Sequence, residues 1–83
     1  MTIFSHVLVY PEGDTIEVDN PPAFNQLVDI NGYPLYPPLK THKMIVYRVY
    51  RISTEEKTGE VTRYYHLELV TGEELFSLAG RSL

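Results

Sequence analysis

Two apolar runs near the C-terminal end, Lys43–Ile52 (KMIVYRVYRI) and Thr62–Val70 (TRYYHLELV), constrain the fold more than any other feature. They are rich in Val, Ile and Tyr, which pack well on a pleated, half-buried surface. The link between them, Ser53–Val61, is polar and contains Gly59. The pattern predicts two strands of one antiparallel hairpin. Its register is open. One choice sets Arg48 opposite His66 and Tyr50 opposite Tyr64, but it also faces Arg51 with Arg63, a like-charge contact that destabilises a strand pair. A slip of two residues on one strand relieves that contact and keeps the same two faces.

Both faces of this hairpin carry apolar residues. The odd-numbered face holds Ile45, Tyr47, Val49, Tyr65, Leu67 and Leu69 and is the expected core. The even-numbered face mixes Met44, Val46, Tyr50, Ile52, Tyr64 and Val70 with Arg48, His66 and Glu68. An antiparallel sheet ordinarily keeps one face polar and wet. The second face therefore needs a cover within the chain (Phe24 and Leu27 are candidates), a second subunit, or a ligand.

The rest of the chain supplies further short strands. Ile3–Tyr10 and Thr15–Val18 flank Pro11-Glu12-Gly13-Asp14, a hairpin signal. Asn20-Pro21-Pro22 has the form of a helix start, with Phe24 and Leu27 on one face, which predicts a short helix near 21–28. Asn31-Gly32 marks a tight turn. Three prolines within Pro34–Pro38 leave only an extended or edge segment. It contains a loose P-x-x-P pattern, Pro34-Leu35-Tyr36-Pro37, best explained as a stiff crossover. After Val70 there are two readings. Thr71 and Glu74 match a capping box, with Gly80 as the C-terminal glycine. The favoured expectation is instead a turn into a last strand, Leu75–Leu78.

A chain of 83 residues buries only about 60–65% of the surface its unfolded form exposes. It has no cysteine, so no disulfide or thiolate metal site supports it. That fits a cytoplasmic location. No run is long enough to span a bilayer, and the apolar N-terminus lacks the basic start of a signal peptide. The net charge is −4, with −5 over residues 1–39 and +1 over residues 40–83. An acidic chain is a poor general binder of phosphate backbones.

Common chemistries find little support. His6, His42 and His66 are widely separated, with no second ligand at metal spacing. No serine sits in a nucleophile elbow. Glu55/Glu56 and Glu73/Glu74 are adjacent acids in expected turns, where solvation keeps carboxylates acidic. The five glycines are single and spaced as turn punctuation, so no phosphate-cradling loop is present.

The expectation is one small all-β domain over 1–83, mainly antiparallel. It takes the form of a small barrel or curved meander of five to six strands, in the SH3-like or OB-like size class, with a frayed tail at 80–83. The expected role is non-enzymatic: a protein-binding or self-assembly module using the face around Arg48, Tyr50, Tyr64 and His66. Tyr and Arg are the residues most enriched where interfaces carry their energy. Single-stranded nucleic acid stacking on the same face is the alternative, disfavoured by charge. A small ligand-binding or catalytic barrel with His66 near a pocket is the third reading. No cofactor, metal or membrane partner is expected.

Overall fold

The computed structural model describes residues 1–40 and 43–78. Six strands form one sheet: β1 (Ile3–Val9), β2 (Thr15–Val18), β3 (Leu27–Val28), β4 (Pro34–Leu35), β5 (Val46–Lys57) and β6 (Glu60–Val70). A short helix, α1 (Gly72–Leu78), follows. The strand order is β2-β1-β6-β5-β3-β4. All neighbours are antiparallel except β1 and β6, which run parallel with Ile3 beside Glu60 and Val9 beside His66. The sheet is mixed, mostly antiparallel and strongly curled into a half-barrel. No helix among the described residues is long and apolar enough to cross a membrane.

The β5–β6 hairpin is longer than the apolar runs suggest. The polar stretch Ser53–Lys57 continues β5, and only Thr58-Gly59 remains as a two-residue turn, with Gly59 at φ 79°. Two-residue turns of this kind need left-handed backbone and so favour glycine. The register from Val46 to Val49 is the slipped one, with Arg48 opposite Glu68. A bulge then intervenes between Val49 and Arg51, and beyond it Arg51 faces His66 and Ser53 faces Tyr64. Arg51 and Arg63 no longer meet.

The two edges of the half-barrel approach each other across the concave face. The β3–β4 turn reaches over to β1 and β2. At Gly32 (φ 88°) an added Cβ would lie 2.8 Å from Leu8 Cδ1 and 3.4 Å from Ile16 Cδ1. Tyr10 Oη donates to the Ile30 carbonyl at 3.1 Å. Beneath this closure lies the main core: Leu8, Tyr10, Val28, Tyr47, Val49, Tyr65 and Leu67. Of the expected core face, Tyr47, Val49, Tyr65 and Leu67 are buried, whereas Ile45 and Leu69 are about half exposed.

A second, smaller core lies on the convex face at the β3 end. It joins Leu27, Leu39, Val46 and Val70, with Leu35, Met44, Leu75 and Leu78 packed against it. The hairpin's second face is thus covered at this end from within the chain. Leu27 contributes as expected, but Phe24 does not, being 63% exposed.

Two local expectations are corrected. Residues 21–28 form no helix: Asn25 adopts left-handed backbone (φ 71°), and the Asn25 N–H bonds to the Val49 carbonyl, drawing the segment onto the edge of β5. Residues 75–78 form the last turns of α1 and not a strand. There, Leu75 and Leu78 at i, i+3 share the face that covers Val46 and Val70, and the Leu78 carbonyl accepts from Leu39 N–H at 2.8 Å. The expected tail at 80–83 lies outside the described residues.

Candidate functional site

The bulge at Tyr50 decides which side chains share the convex face. Before it, even-numbered β5 residues pair with even-numbered β6 residues. After it, odd-numbered β5 residues do. An inserted residue shifts every later side chain to the opposite face. The convex face therefore carries Arg48, Arg51, Ser53 and Glu55 from β5 beside Glu68, His66, Tyr64 and Thr62 from β6.

Of the four residues expected to form the site, only Tyr64 and His66 belong to an accessible cluster. The Tyr64 hydroxyl donates to Glu55 Oε1 at 3.2 Å, and the Glu55 charge raises the tyrosine's pKa. The ring centroids of Tyr64 and His66 are 6.4 Å apart. Ser53 Oγ lies 2.9 Å from His66 Nε2, and an Arg51 guanidinium nitrogen lies 3.5 Å from the same atom. Partial burial, then the Arg51 charge, lowers the His66 pKa and favours the neutral ring. Arginine is a donor only, so its approach suits an unprotonated Nε2.

Arg48 is committed elsewhere. Its guanidinium bonds to Glu68 Oε2 (Nη2 at 2.6 Å and Nε at 3.0 Å) and to both carboxylate oxygens of Glu74 on α1. These bonds raise the Arg48 pKa and lower that of Glu74. Arg48 is thus a clasp holding α1 to the sheet, with a side chain only 23% exposed. Tyr50 sits in the bulge, 48% exposed, outside the Tyr64–His66 row.

Arg51, Ser53 and Glu55 were not among the expected site residues, because strict alternation places Arg51 on the other face and the polar stretch from Ser53 reads as a link. The Arg51–Arg63 conflict was the one signal that the simple register fails. Tyr50 itself is neither Gly nor Pro, so nothing local marks the bulge.

His6 does not join this cluster. His6 lies on the concave side, its Nδ1 3.1 Å from Tyr65 Oη, and His42 is outside the described residues. Among the described residues there is no group of three or more His, Asp or Glu placed to hold a metal ion. Ser53 and His66 have the make-up of a nucleophile–base pair, but that chemistry also needs a group orienting the imidazole and donors for an oxyanion.

Two grooves lie away from this cluster. The larger, ≈ 620 Å³, runs between β2 with its following loop and the β3–β4 turn, and includes Glu17, Asp19, Pro22, Tyr33 and Tyr36. The smaller, ≈ 340 Å³, lies between Phe24, Leu35, Pro37 and Leu78 and touches Arg48. His66 lines neither.

Comparison with curated proteins gives no match. Comparison with solved structures gives none either. A family model described as "Uncharacterised Treponema protein" matches residues 2–78, and the chain belongs to that family.

Proposed function

We propose that this chain is a non-enzymatic binding module that engages a protein partner through the outer half of the β5–β6 hairpin, on the face of Tyr64, His66, Arg51 and Ser53, with Tyr50 at its border. The observation that carries this reading is the contrast between the two ends of the convex face. At the β3 end, α1 and the Leu39 segment cover the sheet. At the other end Tyr64 and His66 stand as a row of amphipathic rings, and the outer edge of β5 continues past Arg51 with no strand paired to it among the described residues. Rigid sheet-borne tyrosines lose little side-chain entropy on contact and favour interfaces. Glu55 and Glu68 on the same face, with the net charge of −4, count against a nucleic-acid strand in that place.

The test is affinity capture with the tagged chain, with and without nuclease, comparing wild type with Tyr50→Ala and Tyr64→Ala. The expected outcome is a specific protein retained regardless of nuclease and lost with the variants, whose circular-dichroism melts stay close to wild type. Retention that disappears with nuclease would replace the protein partner with a nucleic acid. Variants that unfold would make these tyrosines structural and overturn the reading.

A further inference from the structure

The edge of β5 that faces away from β6 is used only in part. Asn25 N–H and the Gln26 carbonyl bond to Val49, and β3 pairs with Tyr47 and Arg48. From Arg51 to Lys57 no strand pairs with that edge among the described residues. Unpaired backbone donors and acceptors on a flat edge are a template for another strand.

The residues on this edge are self-complementary in one register. The segment reads Arg51-Ile52-Ser53-Thr54-Glu55-Glu56-Lys57. If a second β5 runs antiparallel with the two-fold axis at Ser53, Arg51 lies opposite Glu55 twice and Ile52 opposite Thr54 twice. Directly opposed side chains share a face, so each charge meets its opposite on the convex side. Moving the axis to Thr54 sets Arg51 against Lys57. Centring it between residues brings convex side chains opposite concave ones. Moving it towards Ile52 brings the strand up against Asn25 and Gln26, which already occupy Val49. The Ser53-centred register satisfies charge and face together, with pairing confined to Arg51–Glu55 because Lys57 of one copy falls opposite Val49 of the other, whose backbone Asn25 and Gln26 already hold.

We infer that a second copy of this chain is the partner, added through β5 about a two-fold axis at Ser53. This rests on the proposed binding role of the same hairpin and names its partner. The pairing is isologous and therefore closes at two copies. It places the two Tyr64–His66 rows on strands flanking the joint, forming one continuous convex surface.

The experiment is sedimentation equilibrium of the full chain, with the variants R51E, E55R and the R51E/E55R double exchange, and with Ser53→Cys for cross-linking. The wild type is expected to dimerise. Each single reversal should weaken association about tenfold, since it converts two attractive cross-strand pairs into repulsive ones, and the double exchange should restore it. The chain has no cysteine of its own. Ser53→Cys should therefore give a disulfide-linked dimer, because Cα atoms opposed across an antiparallel pair lie about 4.5–5.5 Å apart, within disulfide reach. Lys57→Cys, far from its own copy in this register, should link much more slowly. A wild type that stays monomeric overturns the inference, as does a dimer in which Ser53→Cys links no faster than Lys57→Cys. A monomer that still retains a different protein, and loses it with Tyr64→Ala, would sink the self-pairing alone and leave the binding role standing.

Discussion

Single residues set how tightly the half-barrel closes. Gly32 is required twice over: its backbone is left-handed, and any Cβ there would press on Leu8 and Ile16. Gly59 shares the first constraint but not the second, since an added Cβ there would meet nothing nearer than the Met1 carbonyl at 4.0 Å. Gly32→Ala should therefore cost about 2–4 kcal/mol, combining backbone strain with overpacking. Gly59→Ala should cost only about 1–2 kcal/mol, from strain alone. Urea denaturation of both variants measures the difference, and equal losses would mean that the Gly32 contact yields freely. The turn at Asn31-Gly32 was legible in the sequence. The side chain it closes against was not, because Leu8 and Gly32 meet only when the sheet curls.

At the scale of elements, α1 shows how far tertiary contacts override local preference. Its sequence permits a helix through Thr71 and Glu74, yet adjacent Leu75 and Phe76 equally suit a strand. What selects the helix lies elsewhere in the chain: Val46 and Val70 to be covered, Leu39 N–H to donate to the Leu78 carbonyl, and Arg48 to hold Glu74. Glu74, which a capping box would turn back towards Thr71, bonds to Arg48 instead. The folded-state pKa of Glu74 lies below its ordinary 4.5. A carboxyl whose pKa falls on folding stabilises the fold above its unfolded pKa, and that contribution is lost as pH drops through the folded value. Hydrogen exchange of Leu75–Leu78 should thus lose protection below about pH 4.5, ahead of the β5–β6 amides. Glu74→Ala should remove that acid step and cost about 1 kcal/mol or less overall, because the carboxylate is partly solvated. Unchanged protection in Glu74→Ala would show that Leu75 and Leu78 alone hold the helix. The long hairpin, by contrast, was plain from its Val, Ile and Tyr content. Its polar outer half was not, since Ser, Thr and Glu at an exposed strand end resemble a loop.

For the whole molecule, the decisive arrangement is two cores on opposite sides of one sheet. β5 carries Val46 on the convex side and Tyr47 and Val49 on the concave side, so the strand is a shared wall. Leu8→Ala and Val46→Ala should each cost about 2–4 kcal/mol, a large share of the total for a domain this small. Both should move a single transition, coincident by far-UV circular dichroism and by tyrosine fluorescence, which reports on Tyr10, Tyr47 and Tyr65. A Val46→Ala protein whose two probes separate would show that the convex cluster melts by itself. The number of strands and the curvature were legible, because turn residues recur between short apolar runs, but Leu27–Val28 read as helix and Leu75–Leu78 as strand. The sheet order was not: no local pattern announces that the first strand lies parallel to the last.

That parallel pairing also dictates an order of events at the ribosome. β1 is made well before its neighbour β6, with Val9 waiting for His66. Until then Leu8 has only the β2 side of its environment, and an isolated two-stranded hairpin is marginal in water. Such distant pairings fold late, because the connecting chain must be closed before they return any stability. The nascent β1–β2 region therefore keeps its apolar residues exposed until β6 has been made. The acidic residues concentrated there, with no lysine or arginine among residues 1–39, give it a net repulsion that keeps neighbouring unfinished chains apart.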